Sequence, residues 1–174
     1  MSGMFRELRA DEIECRISQI CMTGKNKGIV LLLYKNARCD ANILDETVSC
    51  DNWQDEYYEC KGTLFCKVGI KRKTEWIWKS DAGSPSNTEA IKGEASDAFK
   101  RACFKWGIGR ELYTAPFIWL DASLVTVTQD NNGRWKCFDR FSVKDIQYEG
   151  GKIVKLMIEN AKSHALLYQL GDYR

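Results

Sequence analysis

Three stretches rich in aromatic and β-branched residues follow one another at residues 53–60, 62–70 and 75–81, separated by short polar segments that favour turns. The pattern predicts three antiparallel strands in a meander. Directly after them the period changes. Ile91, Ala95, Ala98, Phe99, Ala102, Cys103 and Trp106 recur at three- and four-residue spacings and make one apolar stripe, with Lys100, Arg101 and Lys105 off its centre. Ser86 and Glu89 form a capping box behind Pro85, and Gly107 and Gly109 supply the left-handed positions that stop a helix. The segment reads as one amphipathic helix that buries one side on a sheet and offers cations on another.

The flanking segments carry weaker periodicity. Residues 5–12 suit an arm or short helix, and residues 13–20 fit either a helix or the lead-in to a strand. A turn at 25–28 precedes a strand-like run at 29–34, and residues 40–48 have helical spacing through Ile43, Leu44 and Val48. Asp130-Asn131-Asn132-Gly133 is a hairpin signal between residues 124–128 and 135–138, and Gly150-Gly151 plays the same part between 141–148 and 153–158. The expected fold is α+β, a curved antiparallel β-β-β-α core closed by a second small antiparallel hairpin set. Residues 1–158 are expected to form a single domain and residues 159–174 a C-terminal tail.

Composition narrows the class. With 174 residues, 44% of them hydrophobic and 29% charged, the chain holds enough apolar material for one sizeable core. No apolar run approaches the roughly 18 residues of a membrane span, and the N-terminus lacks the charged-then-apolar order of a signal peptide. The cytoplasm is the expected location, with no membrane partner. The eight cysteines include no Cys-x-x-Cys pair, and the sole histidine is His164, so no metal site is expected. The thiols read as small buried hydrophobes or unpaired surface groups.

The net charge of +2 hides an uneven distribution. Residues 40–59 carry seven acids and no base, whereas residues 61–79 carry six bases against Glu75. Local cations are what phosphate binding requires, although two opposite blocks can also neutralise each other. Lys71, Arg72 and Lys73 fall at a hairpin tip, either as a clamp over a nucleic-acid strand or as an ordinary charged turn. Trp53, Trp76, Trp78, Trp106, Trp119 and Trp135 are core residues or base-stacking platforms. Trp76 and Trp78 share one strand face.

No nucleotide-binding Gly-rich loop, dinucleotide fingerprint or nucleophile–histidine arrangement is present, so no cofactor is expected and the chain does not read as an enzyme. Asp40, Asp45 and Glu46 could in principle make a magnesium-dependent nuclease, but no accompanying catalytic pattern surrounds them.

The run Gly93-Glu94-Ala95-Ser96-Asp97-Ala98-Phe99-Lys100-Arg101, continued by Phe104-Lys105-Trp106-Gly107-Ile108-Gly109-Arg110-Glu111-Leu112-Tyr113, resembles the signature helix of the RAD fifty-two-like single-strand annealing proteins. The similarity is closest to the phage-borne Sak type. It extends through Tyr34-Lys35-Asn36-Ala37-Arg38, Ala41-Asn42-Ile43-Leu44-Asp45-Glu46, Asn52-Trp53-Gln54 and Asp139-Arg140-Phe141-Ser142-Val143-Lys144, covering residues 5–158. The resemblance implies a homo-oligomer in rings or arcs that binds single-stranded DNA and anneals complementary strands without ATP, in homologous recombination and DNA repair. It also implies a phage-encoded protein in a bacterial host cell, with a single-strand binding protein as a candidate partner.

Carried over by position, Lys100 and Arg101 match the family's basic pair. Arg16 and Arg38 stand where the family has arginines near its DNA groove, and Lys105, Lys71, Arg72 and Lys73 complete the expected DNA-binding set. For Lys100 the bland alternative is a solvated lysine whose stem lies on the core. One departure is Phe104, where eukaryotic members carry another arginine. Its ring could serve a neighbouring subunit or a base. The alternative function is a passive single-stranded nucleic-acid binding module without annealing activity.

Overall fold

The computed structural model describes residues 4–85 and 90–173. Among these, the strands are β1 Glu14–Cys21, β2 Gly28–Tyr34, β3 Trp53–Cys60, β4 Thr63–Arg72, β5 Glu75–Ala82, β6 Ile118–Asp121, β7 Val127–Gln129, β8 Trp135–Cys137, β9 Phe141–Glu149, β10 Lys152–Asn160 and β11 Leu166–Leu170. The helices are α1 Ala37–Val48 and α2 Ala90–Trp106. Helix and antiparallel sheet make the class α+β. The chain divides into two compact units, one from residues 35–110 with the segment before Leu8, the other from residues 8–34 with the chain after Arg110.

The first unit contains the meander and the helix that the sequence pattern predicts. β3, β4 and β5 are consecutive antiparallel neighbours, in register from Trp53 opposite Ile70 and from Phe65 opposite Ala82. Lys61 and Gly62 join β3 to β4 with φ of 53° and 72°, the mirror-image turn whose twist matches that of paired strands. Strand alternation puts Cys66, Val68 and Ile70 on one face, all fully buried, and α2 packs on β4 and β5. Ala98, Phe99, Ala102 and Cys103 form the buried stripe of α2.

Burial pushes the Cys66 thiol up to about 12 and raises Cys103 well above its ordinary value, so both act as neutral core groups. The helix stops at Trp106, followed by Gly107 at φ 111°. The capping box expected at Ser86 and Glu89 lies outside the described residues.

α1 adds Ile43 and Leu44 to the same core, and the Asn36 side chain caps it by accepting from the Cys39 N–H at 3.0 Å. Trp53 is pinned between the two helices. Its indole N–H donates to Asp45 at 2.6 Å, and its ring lies 6.0 Å from that of Phe99.

In the second unit six strands pair in the order β11-β10-β9-β1-β2-β6, with a separate β7–β8 hairpin. The edge strands β11 and β6 come into contact, so the sheet curls around Ile29, Leu31, Ile118, Leu120, Leu156 and Ile158. Both expected hairpins are there, at β7–β8 and β9–β10, but this set is larger than the small one expected, because β1, β2 and β6 join β9 and β10. The joining contact, Glu14 opposite Ser142, links residues remote in sequence and leaves no local pattern. Residues 159–174, expected as a tail, supply the end of β10 and all of β11, which is held by pairing such as Leu156 opposite Leu170. Among the described residues no helix is long and apolar enough to cross a membrane.

Candidate nucleic-acid interface

The stripe that buries one side of α2 leaves Lys100 half-buried and Arg101 and Lys105 exposed. Asp81 is on the α2-facing side of β5, because it stands opposite the buried Cys66. Its two carboxylate oxygens lie 3.6 Å from an Arg101 guanidinium nitrogen and 3.6 Å from Lys105 Nζ. Lys105 Nζ also donates to the Ser80 carbonyl at 2.5 Å. These contacts aim both cations along the β5 edge of the helix. Exposed pairs of this kind are worth about 0–1 kcal/mol each, little enough for a phosphate to displace Asp81.

The C-terminal end of a helix is its negative pole and repels anions. Two cations that sequence reading did not single out neutralise it here. Lys79 Nζ donates to the Lys105 carbonyl at 2.9 Å and rests 4.4 Å from the centre of the Trp106 ring. Arg110 donates to the Phe104 carbonyl at 2.8 Å and to the Lys105 carbonyl at 2.7 Å. Its guanidinium lies 5.5 Å over the Phe104 ring, so Phe104 serves as the seat of Arg110. The signal for Arg110 was available: basic side chains just beyond a glycine stop commonly satisfy the last carbonyls. With those carbonyls occupied, the charge that Lys100, Arg101 and Lys105 present on α2 is opposed by the Asp81 carboxylate shared between the last two.

Behind Lys100 lies a buried ion pair between Lys35 and Asp40, with Asp40 fully buried and its Oδ2 without a hydrogen-bond partner. Burial pushes the Asp40 carboxyl up to about 6, against the pull of Lys35 and, last among the charges, of Lys100. Gly109 makes room for this pair. It has φ 72°, and a Cβ built on it would land on the Lys35 stem. The carboxylates considered for a nuclease do not converge. Asp40 pairs with Lys35, Asp45 accepts from Trp53, and Glu46 binds Arg6 at 2.7 Å.

The other expected residues are placed separately. Arg38 is exposed on the first turn of α1. Lys71, Arg72 and Lys73 end the β4–β5 hairpin, Lys73 with φ 56°, and Arg72 contacts the Met4 sulfur. Lys79 is four residue steps along β5 from Glu75 at the tip, so the tip lies about 13 Å of strand beyond the C-terminal end of α2. Arg16 belongs to the second unit. It is exposed on β1 with its guanidinium 5.9 Å from the Tyr34 ring, whose hydroxyl donates to Glu14 at 2.5 Å.

Comparison with known proteins gives two findings. The family of Rad52/22 double-strand break repair proteins matches residues 42–131, a span that includes β3, β4, β5, α2 and the cations around its C-terminal end. The single-stranded DNA-binding protein DdrA of Deinococcus radiodurans is 33% identical over 94 residues, covering 53% of this chain and 45% of that protein. The match thus spans just under half the length of that relative.

Proposed function

From a chain that belongs to the Rad52/22 family of double-strand break repair proteins, we propose a protein that binds single-stranded DNA and anneals complementary strands without ATP. The observation that carries this reading is the group Lys100, Arg101 and Lys105 on α2, within the matched region, where Lys79 and Arg110 have satisfied the helix end and the Asp81 pairs are weak enough for a phosphate to displace. The DNA-binding name of DdrA, whose match covers part of each chain, supports the same ligand.

In this reading Lys100, Arg101 and Lys105 hold sugar-phosphate. Arg16, Arg38 and the tip residues Lys71, Arg72 and Lys73 extend the contact across an oligomer in rings or arcs. Annealing needs the phosphates neutralised and the base edges exposed, and it needs no bond-making group. A phage-encoded protein acting in a bacterial host, beside a single-strand binding protein, completes the proposal.

The test is annealing of two complementary labelled oligonucleotides without ATP and in chelator, comparing the wild type with Lys100→Ala/Arg101→Ala. Accelerated pairing by the wild type, at least tenfold weaker in the variant with the fold intact by circular dichroism, is the expected result. Binding without faster pairing would replace annealing by a passive binding module. Undiminished activity of the variant would remove α2 from the site.

A further inference from the structure

The meander has a second face. α2 covers the side bearing Cys66, Val68 and Ile70, so the alternate residues point away from it: Tyr58 on β3, Phe65, Lys67, Gly69 and Lys71 on β4, and Trp76 and Trp78 on β5. Tyr58 is 42% exposed, and Trp76 and Trp78 are half-buried. This face carries four aromatic rings where a solvated sheet surface ordinarily carries polar residues.

The rings are arranged rather than scattered. Gly69 stands opposite Trp78, and a Cβ there would come 2.8 Å from the indole, so the glycine lets Trp78 lie against the backbone. Lys67 Nζ sits 4.5 Å from the centre of that ring and pairs with Glu56 at 2.8 Å, which neutralises the acid on this face. Trp76 follows at 6.1 Å between ring centres, with Lys71 directly across the strand pair. Tyr58 and Phe65 stack at 5.3 Å, and the Tyr58 hydroxyl is held by Ser80 at 2.7 Å. Beyond Trp76 come Lys71, Arg72 and Lys73 at the hairpin tip.

We propose that this outer face of β3-β4-β5 is a base-stacking platform for single-stranded nucleic acid, with Trp76 receiving a base, Trp78 backing it from beneath Lys67, and Lys71 across the strand pair receiving phosphate. The inference rests on the single-strand binding reading above but concerns a different side of the sheet from the α2 cations. Flat rings beside unneutralised cations fit a ligand that is planar and anionic at once, which is the chemistry of a single strand. A second copy of this same face fits less well, because it would set Lys71 and the tip cations against one another. A ring backed by its neighbour suits a single splayed base, and stacking engages the π-face of a base while leaving its Watson–Crick edge open.

The experiment compares binding of a thymidine oligonucleotide and an abasic oligomer of equal length, which share their phosphates and differ only in bases. The wild type is expected to prefer the thymidine strand. Trp76→Ala should lose roughly tenfold on that strand, the scale of one base–aromatic stack, and nothing on the abasic one. Trp76→Phe should keep most of the preference, and Lys100→Ala/Arg101→Ala should weaken both probes alike. Equal wild-type affinity for the two probes, or a preference that survives Trp76→Ala, would overturn the platform while leaving the α2 site standing. A change of oligomeric state in Trp76→Ala with the preference intact would instead make this face a contact between copies, and overturn it too. Failure of the wild type to bind either probe would remove the single-strand reading and the platform together.

Discussion

Gly109 and Lys35 are the residues on which the ground beneath α2 depends. Lys35 is buried with its Nζ committed to Asp40, so its stem cannot swing aside for a new Cβ at Gly109 without stranding a buried charge. Gly109→Ala also forces an L side chain into a left-handed backbone, which alone costs roughly 1–2 kcal/mol. A total loss of about 3 kcal/mol or more is expected in urea unfolding, and a change below about 1 kcal/mol would show that the pair tolerates displacement. Asp40 makes a second prediction with a definite sign. Its folded pKa of about 6 lies above the ordinary value of 3.8, so the native state takes up a proton that the unfolded chain does not between those limits. The contribution of this group to stability is fully present below the unfolded value and is lost as pH rises through about 6. Unfolding midpoints measured from pH 4 to 7 should therefore show this term in the wild type and lack it in Asp40→Asn; parallel profiles would contradict it. Neither residue announces its role in the sequence, since the partner of each is defined by tertiary contact.

At the scale of the element, β5 and α2 share Asp81. The carboxylate directs Arg101 and Lys105 but also competes with any phosphate for them. Asp81→Asn should leave the fold unchanged and tighten binding of a short oligonucleotide by up to about fivefold for each of the two pairs released. Weaker binding would mean that Asp81 chiefly orients the cations. The elements themselves were largely legible. β3, β4, β5 and α2 were visible because each keeps its period over many residues between strong turn signals, and the cations on α2 were visible as departures from its stripe. β11 was not, because Leu166-Leu167-Tyr168-Gln169-Leu170 is short and does not alternate. β1 was ambiguous for a related reason: Arg16, Ser18 and Gln19 interrupt its apolar residues, and its strand identity comes from pairing with β2. The functions of Lys79 and Arg110 depend on where the helix ends in space, which spacing suggests only for Arg110.

For the whole molecule, a net charge of +2 on 174 residues gives little long-range attraction for DNA, so affinity has to come from local cations in contact with phosphate. That makes salt dependence a count of contacts. For a single strand the logarithm of the binding constant falls against the logarithm of salt with a slope of about −0.7 per phosphate neutralised. If Lys100, Arg101 and Lys105 each engage one phosphate, they account for a slope of about −2 per bound subunit, and contacts elsewhere add to it. Lys100→Ala/Arg101→Ala should then flatten the slope by about 1.4, whereas Trp76→Ala should shift the line downward without changing its slope. The measurement is fluorescence anisotropy of a labelled thymidine oligonucleotide across a range of potassium chloride. An unchanged slope in the double variant would mean that Lys100 and Arg101 do not touch phosphate, however much affinity they cost. A flattened slope in Trp76→Ala would mean that the aromatic face acts by placing the tip cations and not by stacking bases.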